Sequence, residues 1–321
     1  MSERRRASGG TGTALAAALL AAACVPRVHI PLASVADGVR ARPLRPVPAA
    51  FQRPLAPAPP EVTLRYAKRV LDYDLYRFSF PSSGDNRQPG NLVRGRYFHR
   101  ADGGRRGLVV VLPIWGRSKY PPAITTRRLI RRGELDVLVL ASEGGLIDWG
   151  AVSQATSEEA LLAAVRRWAA VYGTTVEDVR RAVDWALARP DIDRQRVGLI
   201  GFSMSAIVGA TVTGLDRRIT RAVFVMGSPR LEDIFVGCPM MPGRVRERLL
   251  ARFGWSREDL RRLLAPELAA INPVTYAARI DPRRVLMFDA ARDRFVPQSS
   301  REELWESLGR PERFTLRYGH G

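Results

Sequence analysis

The feature that most constrains this sequence is a series of short apolar runs that alternate with segments of helical spacing. Six such runs follow one another, at 107–114, 136–142, 196–203, 221–228, 284–291 and 313–319. Continuous runs of Val, Ile and Leu are typical of strands that are buried on both faces, as in a parallel sheet. Segments such as "PPAITTRRLIRRG" separate them. The pattern predicts an α/β fold: a mostly parallel sheet with helices on both faces.

The region before these runs predicts an antiparallel start, so the sheet should be mixed. "LYRFSF" alternates apolar and polar residues, "VRGRYFHR" does so less regularly, and the turn-forming stretch "SSGDNRQPGN" separates them. Further along, "TTVEDVRRAVDWALARP" predicts a helix that begins with the capping-box pair Thr174 and Glu177 and ends before Pro190. An insertion at about 229–283 contains two more predicted helices, at 242–254 and 256–271. We expect it to form a small helical cap over the carboxyl edge of the sheet.

Residues 1–24 resemble an export signal. The basic "MSERRR" precedes "TALAAALLAAA", an apolar segment too short to span a bilayer comfortably. The following "AAAC" resembles a bacterial lipobox, which predicts lipidation of Cys24 and a membrane tether at the cell envelope. Ala21 and Ala23 also form an A-x-A cleavage site, so secretion without an anchor stays open. The proline-rich residues 25–60 predict an extended tether, which leaves 61–321 as the folded domain.

The charge of the chain is strongly positive. The formal net charge is +19, and only two of the 51 basic residues are lysines, Lys68 and Lys119. Such a balance permits a nucleic-acid or acidic-membrane partner. However, no basic run interleaves with aromatic residues as a base-stacking groove requires, so we expect no nucleic-acid partner. The arginines are interpreted as solvated surface, with a basic membrane- or polyanion-binding envelope protein as an alternative.

The stretch "GFSMS" (201–205) contains a candidate nucleophile, Ser203. It follows a predicted buried strand and precedes a predicted helix, and its neighbours two places away are small. A sharp strand-to-helix turn of this kind exposes the serine hydroxyl at the carboxyl edge of the sheet. Ser205 stands where the G-x-S-x-G pattern has its second glycine. An ordinary strand and helix joined by small residues is the other interpretation.

A nucleophilic serine needs a base, and imidazole is the usual one. Of the three histidines, His29 lies in the predicted tether and His99 ends the early hairpin, whereas His320 follows the last strand at the edge where Ser203 is expected. Two acids precede it, Asp289 and Asp293. Asp293 is preferred because it lies in the loop beyond the strand, and because Ser, Asp, His is the expected chain order in an α/β sheet.

No metal or cofactor motif accompanies these residues. The sequence contains no H-E-x-x-H, no paired-cysteine motif and no P-loop, so no cofactor or metal is expected.

Four pieces, "GFSMSA", "DAARDRFVP", "YGHG" and "ARPDIDRQRVGLIGFS", resemble the α/β-hydrolase superfamily, most of all its dienelactone-hydrolase and prolyl-oligopeptidase-like branch. The resemblance spans about Val93 to Gly321. It implies a serine hydrolase whose oxyanion hole uses the backbone N–H groups of Met204 and of Trp115 in "LPIWGRS". The expected activity is that of a carboxylesterase on a small-molecule ester. An inactive hydrolase-fold binding module is the alternative.

Overall fold

The structure, a computed structural model, describes residues 26–32, 44–53, 57–100, 102, 104–115, 120–239 and 241–320. Its strands are β1 (Pro26–Ile30), β2 (Thr63–Val70), β3 (Tyr73–Pro81), β4 (Leu92–His99), β5 (Arg106–Val111), β6 (Leu135–Leu140), β7 (Ile192–Phe202), β8 (Arg221–Val225), β9 (Val285–Ala290) and β10 (Glu312–Leu316). Its α-helices are α1 (Tyr120–Arg132), α2 (Trp149–Gln154), α3 (Glu158–Leu187), α4 (Met204–Leu215), α5 (Leu231–Gly237), α6 (Met241–Phe253), α7 (Arg257–Leu268) and α8 (Gln298–Ser307).

The strands form one sheet in the order β1-β10-β9-β8-β7-β5-β6-β4-β3-β2. Strands β5 to β10 are parallel to one another. The remaining pairs, β1 with β10, β6 with β4, β4 with β3 and β3 with β2, are antiparallel. The predicted mixed, mostly parallel sheet is therefore confirmed, as is the predicted hairpin, whose strands β3 and β4 pair from Asp74 and His99 to Pro81 and Leu92.

Helices cover both faces of this sheet. Along β5, Leu108 and Val110 belong to the cluster that contains the apolar side chains of α3 and α4. Val109 and Val111 belong to a second cluster, with Leu129 of α1. Because successive side chains of a strand point to opposite faces, the two clusters lie on opposite sides of the sheet.

Helix α3 is longer than its capping-box pattern predicted, and the predicted start at Thr174 is wrong. The helix begins after Ser157, whose hydroxyl accepts a hydrogen bond from the N–H of Ala160 at 3.1 Å. Its first half has an apolar face of its own that is buried in the core, including Leu161 and Trp168. Thr174 is consequently an interior residue. The helix ends at Leu187, before Pro190 as predicted.

The region predicted as a tether departs from that description at two places. Pro26–Ile30 pair with β10 as an edge strand. Phe51 is buried in the core, and Arg53 forms ion pairs with Glu177 (2.9 Å) and Asp184 of α3. The edge of a sheet offers unpaired backbone groups, so a neighbouring segment of chain can pair there without any apolar period of its own.

The described residues of the insertion after β8 form three α-helices, followed by three short 3-10 helices between Pro273 and Arg284. Helices α6 and α7 correspond to the two predicted ones, and α7 begins with a capping box between Ser256 and Asp259. Helix α5 was not predicted, because its seven residues are too few to display a helical period.

The predicted export signal and Cys24 lie outside the described residues. Among the residues that are described, no helix has the length and apolar character needed to cross a bilayer.

Candidate active site

Ser203 lies on the turn between β7 and α4. Its backbone has φ 53° and ψ −122°, a combination that residues with a side chain rarely adopt. Its N–H donates to the carbonyl of Val225 at the end of β8, at 2.8 Å. A Cβ at position 201 would lie 2.2 Å from the carbonyl oxygen of Ser205, so only glycine fits there. The turn is thus a sharp, strained elbow at the carboxyl edge of the sheet.

Ser205 explains how the elbow forms without its second glycine. Its side chain is fully buried, and its Oγ accepts a hydrogen bond from the N–H of Phe202 at 2.7 Å. The same hydroxyl donates to the carbonyl of Phe202 at 2.9 Å. A serine is small enough for this position, and its hydroxyl pairs with both backbone groups of Phe202.

The structure brings three of the predicted site residues together. His320 Nε2 lies 2.7 Å from Ser203 Oγ, and His320 Nδ1 lies 2.7 Å from Asp293 Oδ2. The three residues come from the β7–α4 turn, from the loop after β9 and from the end of the segment after β10. Their arrangement places a base on the serine hydroxyl and a carboxylate on the base.

The Asp293 side chain is completely buried. Its Oδ1 accepts hydrogen bonds from the N–H groups of Phe295 (2.8 Å) and Val296 (3.0 Å). Burial raises the pKa of this carboxyl, but the hydrogen bonds from His320 and from the two N–H groups outweigh it, so the pKa lies below its usual value. Asp293 is therefore ionised at neutral pH, and its carboxylate accepts a hydrogen bond from the Nδ1–H of His320.

Asp289, the other candidate acid, lies elsewhere. It is fully buried on β9, and its Oδ2 accepts a hydrogen bond from Arg313 Nε at 2.6 Å. Burial raises the pKa of its carboxyl, against the effect of Arg313. The structure therefore brings Asp293, and not Asp289, to His320.

Of the two predicted oxyanion donors, Met204 directly follows Ser203 in the chain, and Trp115 belongs to a separate loop. Met204 is the first residue of α4, where an N–H has no acceptor within the helix. Met204, Trp115 and Ser203 line the same cavity. Pro113 has no N–H and Leu112 donates to the carbonyl of Ile200, at 2.9 Å, so a donor from this loop has to come from a later residue. The assignment to Trp115 stays a prediction.

The cavity has a volume of about 360 Å³. None of its described lining residues has a charged side chain. They are Trp115, Gly145, Leu146, Ile147, Trp149, Trp168, Ser203, Met204, Leu231, Ile234, Phe235, Cys238, Phe295 and Val296.

Sequence reasoning missed most of this lining. The missed residues come from separate segments and carry no motif. The only signal in the sequence is that aromatic residues accumulate in loops after predicted strands. This signal does not show that they line one cavity.

A second cavity, of about 180 Å³, lies at the opposite edge of the sheet. It is lined by the amino ends of the parallel strands, including Leu108, Ala222 and Val285, and by none of the predicted site residues. Because Ser203, His320 and Asp293 all lie at the carboxyl edge, the larger cavity is the one that adjoins the candidate active site.

The other two histidines lie beside carboxylates, away from Ser203. His29 Nε2 lies 2.9 Å from Glu312 on β10. His99 lies near Asp136 and Asp191, and the ligand atoms of these three residues fall within 4.8 Å of one another, the one such group among the described residues that could hold a metal ion. Asp136 already accepts hydrogen bonds from Tyr97 and from His99, so protein donors occupy the place of a metal ion.

No protein-family model matches this chain, and no curated protein matches it in sequence. Solved structures do match. The acetyl xylan esterase from Paenibacillus sp. R4 is 16% identical, with a TM-score of 0.62 over 91% of this chain and 95% of that one. Acetyl xylan esterase 1 from Thermoanaerobacterium sp. JW/SL YS485 is 15% identical, with a TM-score of 0.64 over 92% and 94%.

A larger protein matches over part of its length. The acylaminoacyl peptidase of Pyrococcus horikoshii is 14% identical, with a TM-score of 0.51 over 79% of this chain but only 39% of that one. The sheet order, the serine elbow and these superpositions agree, and the chain has the α/β-hydrolase fold.

Proposed function

We propose that this protein is a serine hydrolase that cleaves ester bonds through an acyl-enzyme. The observation that carries the proposal is the position of His320, 2.7 Å from both Ser203 Oγ and Asp293 Oδ2. Hydrogen bonds on both ring nitrogens fix the imidazole in the tautomer and orientation that general-base catalysis needs.

In the first half-reaction, Ser203 Oγ attacks the ester carbonyl while His320 Nε2 takes the hydroxyl proton. The carbonyl oxygen becomes an oxyanion, which the N–H groups of Met204 and Trp115 stabilise without reorganisation. Asp293 stabilises the imidazolium that forms. The tetrahedral intermediate then expels the alcohol, which receives the proton from His320, and the acyl group stays on Ser203.

In the second half-reaction, a water molecule replaces the alcohol. His320 removes a proton from that water, the resulting hydroxide attacks the acyl carbonyl, and Ser203 leaves with the proton returned from His320. The carboxylic acid departs and the enzyme is restored. No step requires a cofactor.

The comparisons favour an esterase over a peptidase as the starting hypothesis. The two acetyl xylan esterases are covered by this chain over nearly their whole length, whereas most of the acylaminoacyl peptidase has no counterpart in it. An amide-cleaving activity is the second candidate, since the same residues perform it and a peptidase shares the fold.

Labelling with a fluorophosphonate probe tests the proposal. We expect the probe to modify Ser203, because phosphonylation requires a nucleophile activated by a base. Ser203→Ala should abolish labelling and lower kcat on p-nitrophenyl esters by about 10⁶-fold.

Ser205→Ala is the matched control, since this serine lies on the same turn but its hydroxyl bonds only Phe202. It should still be labelled. A folded wild-type protein that is neither labelled nor active on any ester would refute the enzyme hypothesis and favour the binding-module alternative.

Export and lipid anchoring remain a separate proposal, which rests on the sequence of residues 1–24 alone. Strand β1 begins two residues after Cys24, and its first residue pairs with Leu316 at the carboxyl end of β10. An acylated Cys24 would therefore hold the carboxyl edge of the sheet within about 10 Å of the lipid. Mass spectrometry of the mature N-terminus decides: an unmodified Cys24, or cleavage elsewhere, contradicts the anchor.

A further inference from the structure

We infer that the cavity beside Ser203 selects esters with a bulky apolar group, either aromatic or a medium-length alkyl chain, over acetyl esters. The inference rests on the proposed function and specifies its substrate class. It differs from what the names of the two acetyl xylan esterases would lead one to expect.

The chemistry of the cavity wall is the first argument. Five aromatic side chains face it, those of Trp115, Trp149, Trp168, Phe235 and Phe295, and the other lining side chains are mostly aliphatic. Among the described lining residues there is no carboxylate, amide or basic group. A sugar brings many hydroxyl groups, and each one buried without a partner costs free energy. An apolar group has no hydrogen bonds with water to lose when it enters the cavity, and burying its surface against this wall is favourable.

The size of the cavity is the second argument. A volume of about 360 Å³ corresponds to roughly a dozen water molecules at about 30 Å³ each. It also falls within the range of pockets that enclose small organic ligands. An acetyl group would occupy a small part of this space, leaving most of the wall in contact with water. A longer or aromatic group fills it.

The third argument is that the wall is fixed in place at both ends of α5. At its start, the side chain of Asn272 accepts from the N–H of Leu231 (2.9 Å) and donates to the buried Glu232 (2.8 Å). At its end, Arg246 Nη1 donates to the carbonyls of Val236 (2.6 Å), Cys238 (3.1 Å) and Phe235 (3.2 Å). These hydrogen bonds fix both ends of α5, so the residues of α5 that line the cavity have a defined position.

Two of the aromatic residues also support each other. The rings of Trp149 on α2 and Phe235 on α5 are stacked, with centroids 5.7 Å apart and an interplanar angle of 12°. The pair joins α2 to α5 and presents two adjacent aromatic rings to the apolar group of a substrate.

The first measurement is kcat/KM for p-nitrophenyl acetate, butyrate, hexanoate, octanoate and benzoate. A buried methylene contributes about 0.8 kcal/mol, which is roughly a fourfold gain in kcat/KM for each one that enters the cavity. We expect kcat/KM to rise along the series until the cavity is full, and the benzoate to exceed the acetate.

Two variants connect that profile to this cavity. Ile234→Phe fills space from the partly exposed side of α5 and should move the optimum to shorter chains. Trp149→Ala removes part of the wall and should lower the octanoate-to-acetate ratio by about tenfold. Trp255→Ala is the matched control, since this tryptophan is also partly buried but stacks on Phe253 and is not among the residues that line the cavity. It should leave the ratio unchanged.

The outcomes separate this inference from the proposed function. If the fluorophosphonate labels Ser203 and esters are hydrolysed, but acetate is the best substrate or Ile234→Phe leaves the profile unchanged, the inference is wrong and the serine hydrolase stands. If no ester is hydrolysed and Ser203 is never labelled, the proposed function itself fails. A rising series that Ile234→Phe shortens supports both.

Discussion

Two histidines of this protein form nearly the same pair with a buried aspartate, at opposite edges of one sheet. His320 Nδ1 lies 2.7 Å from Asp293, and His99 Nδ1 lies 2.8 Å from Asp136. Both carboxylates are almost completely shielded from solvent. The first pair lies at the carboxyl ends of the parallel strands. The second lies at the amino end of β6, beside the end of β4.

The two pairs differ in what surrounds them. The other ring nitrogen of His320 lies 2.7 Å from the strained Ser203, beside the apolar cavity. His99 Nδ1 is shared with a second carboxylate, Asp191, at 3.3 Å. The carboxylate beside His99 raises the pKa of its imidazole, and the pair ties the end of β4 to the start of β6. A histidine between one carboxylate and a hydroxyl has the geometry that general-base catalysis needs. The pair alone does not define a catalytic site; the hydroxyl and the cavity do.

Replacing each histidine by glutamine should give the largest difference in kcat between the two pairs. His320→Gln removes the base and should lower kcat on esters by about 10⁶-fold, with the thermal midpoint nearly unchanged. His99→Gln should leave kcat within a few-fold and lower the midpoint instead. Ester kinetics and thermal unfolding of both variants check this, and a comparable loss of kcat in His99→Gln would mean that the two edges are coupled.

Replacing the aspartates gives a smaller difference in rate. Asp293→Asn disturbs the tautomer of His320 and should lower kcat by about 10⁴-fold. Asp136→Asn removes an acceptor shared by His99 and Tyr97, so it should cost about 1–3 kcal/mol of unfolding free energy with little effect on kcat. Urea unfolding and kcat on the same preparations separate the two effects. An Asp293→Asn enzyme with wild-type kcat would remove this acid from the mechanism.

The smallest expected effect is on the pH dependence of stability. The hydrogen bond to Asp136 raises the pKa of His99 against burial, and the charge of Asp191 raises it further, with Arg189 opposing. Because the pKa is higher in the folded state, this contribution is complete below the unfolded value of about 6.5 and is lost as the pH rises through the folded pKa. The stability difference between wild type and His99→Gln should therefore shrink in urea titrations as the pH rises above about 6.5.

Asp293 should show the opposite dependence. Its pKa is lowered in the folded state, so its contribution is present above the unfolded pKa and is lost as the pH falls through the folded value. The difference between wild type and Asp293→Asn should shrink in acid. A pH-independent difference for either variant would contradict the corresponding shift.

The site was predictable from sequence to the extent that each residue carries a local signal. Ser203 is recognisable because a strand-to-helix turn needs small neighbours. His320 was identified by elimination among three histidines, and Asp293 was preferred over Asp289 because it lies in the loop beyond the strand. Ser205, the weakest match to the pattern, became intelligible only with its two hydrogen bonds to Phe202.

Other features left no such signal. The start of α3 at Ser157 was missed because the capping-box spacing at Thr174 and Glu177 also occurs by chance inside a helix. Helix α5 was missed because it is too short to show a period, although it supplies one wall of the cavity. The pairing of His99 with Asp136 requires β4 and β6 to be neighbours in the sheet. These strands are not consecutive in the chain, so their order in the sequence does not predict that they pair.

The sequence by itself determined the strand and helix types, the mixed sheet and the identity of the serine, histidine and aspartate candidates. These follow from side-chain periodicity and backbone sterics, which act over a few residues. Only the tertiary structure decided which aspartate meets His320, which histidine is a structural ion pair, and that a large apolar cavity adjoins Ser203. Those depend on contacts between segments far apart in the chain, whose distances are set by the order of strands in the sheet and by how the helices pack on it.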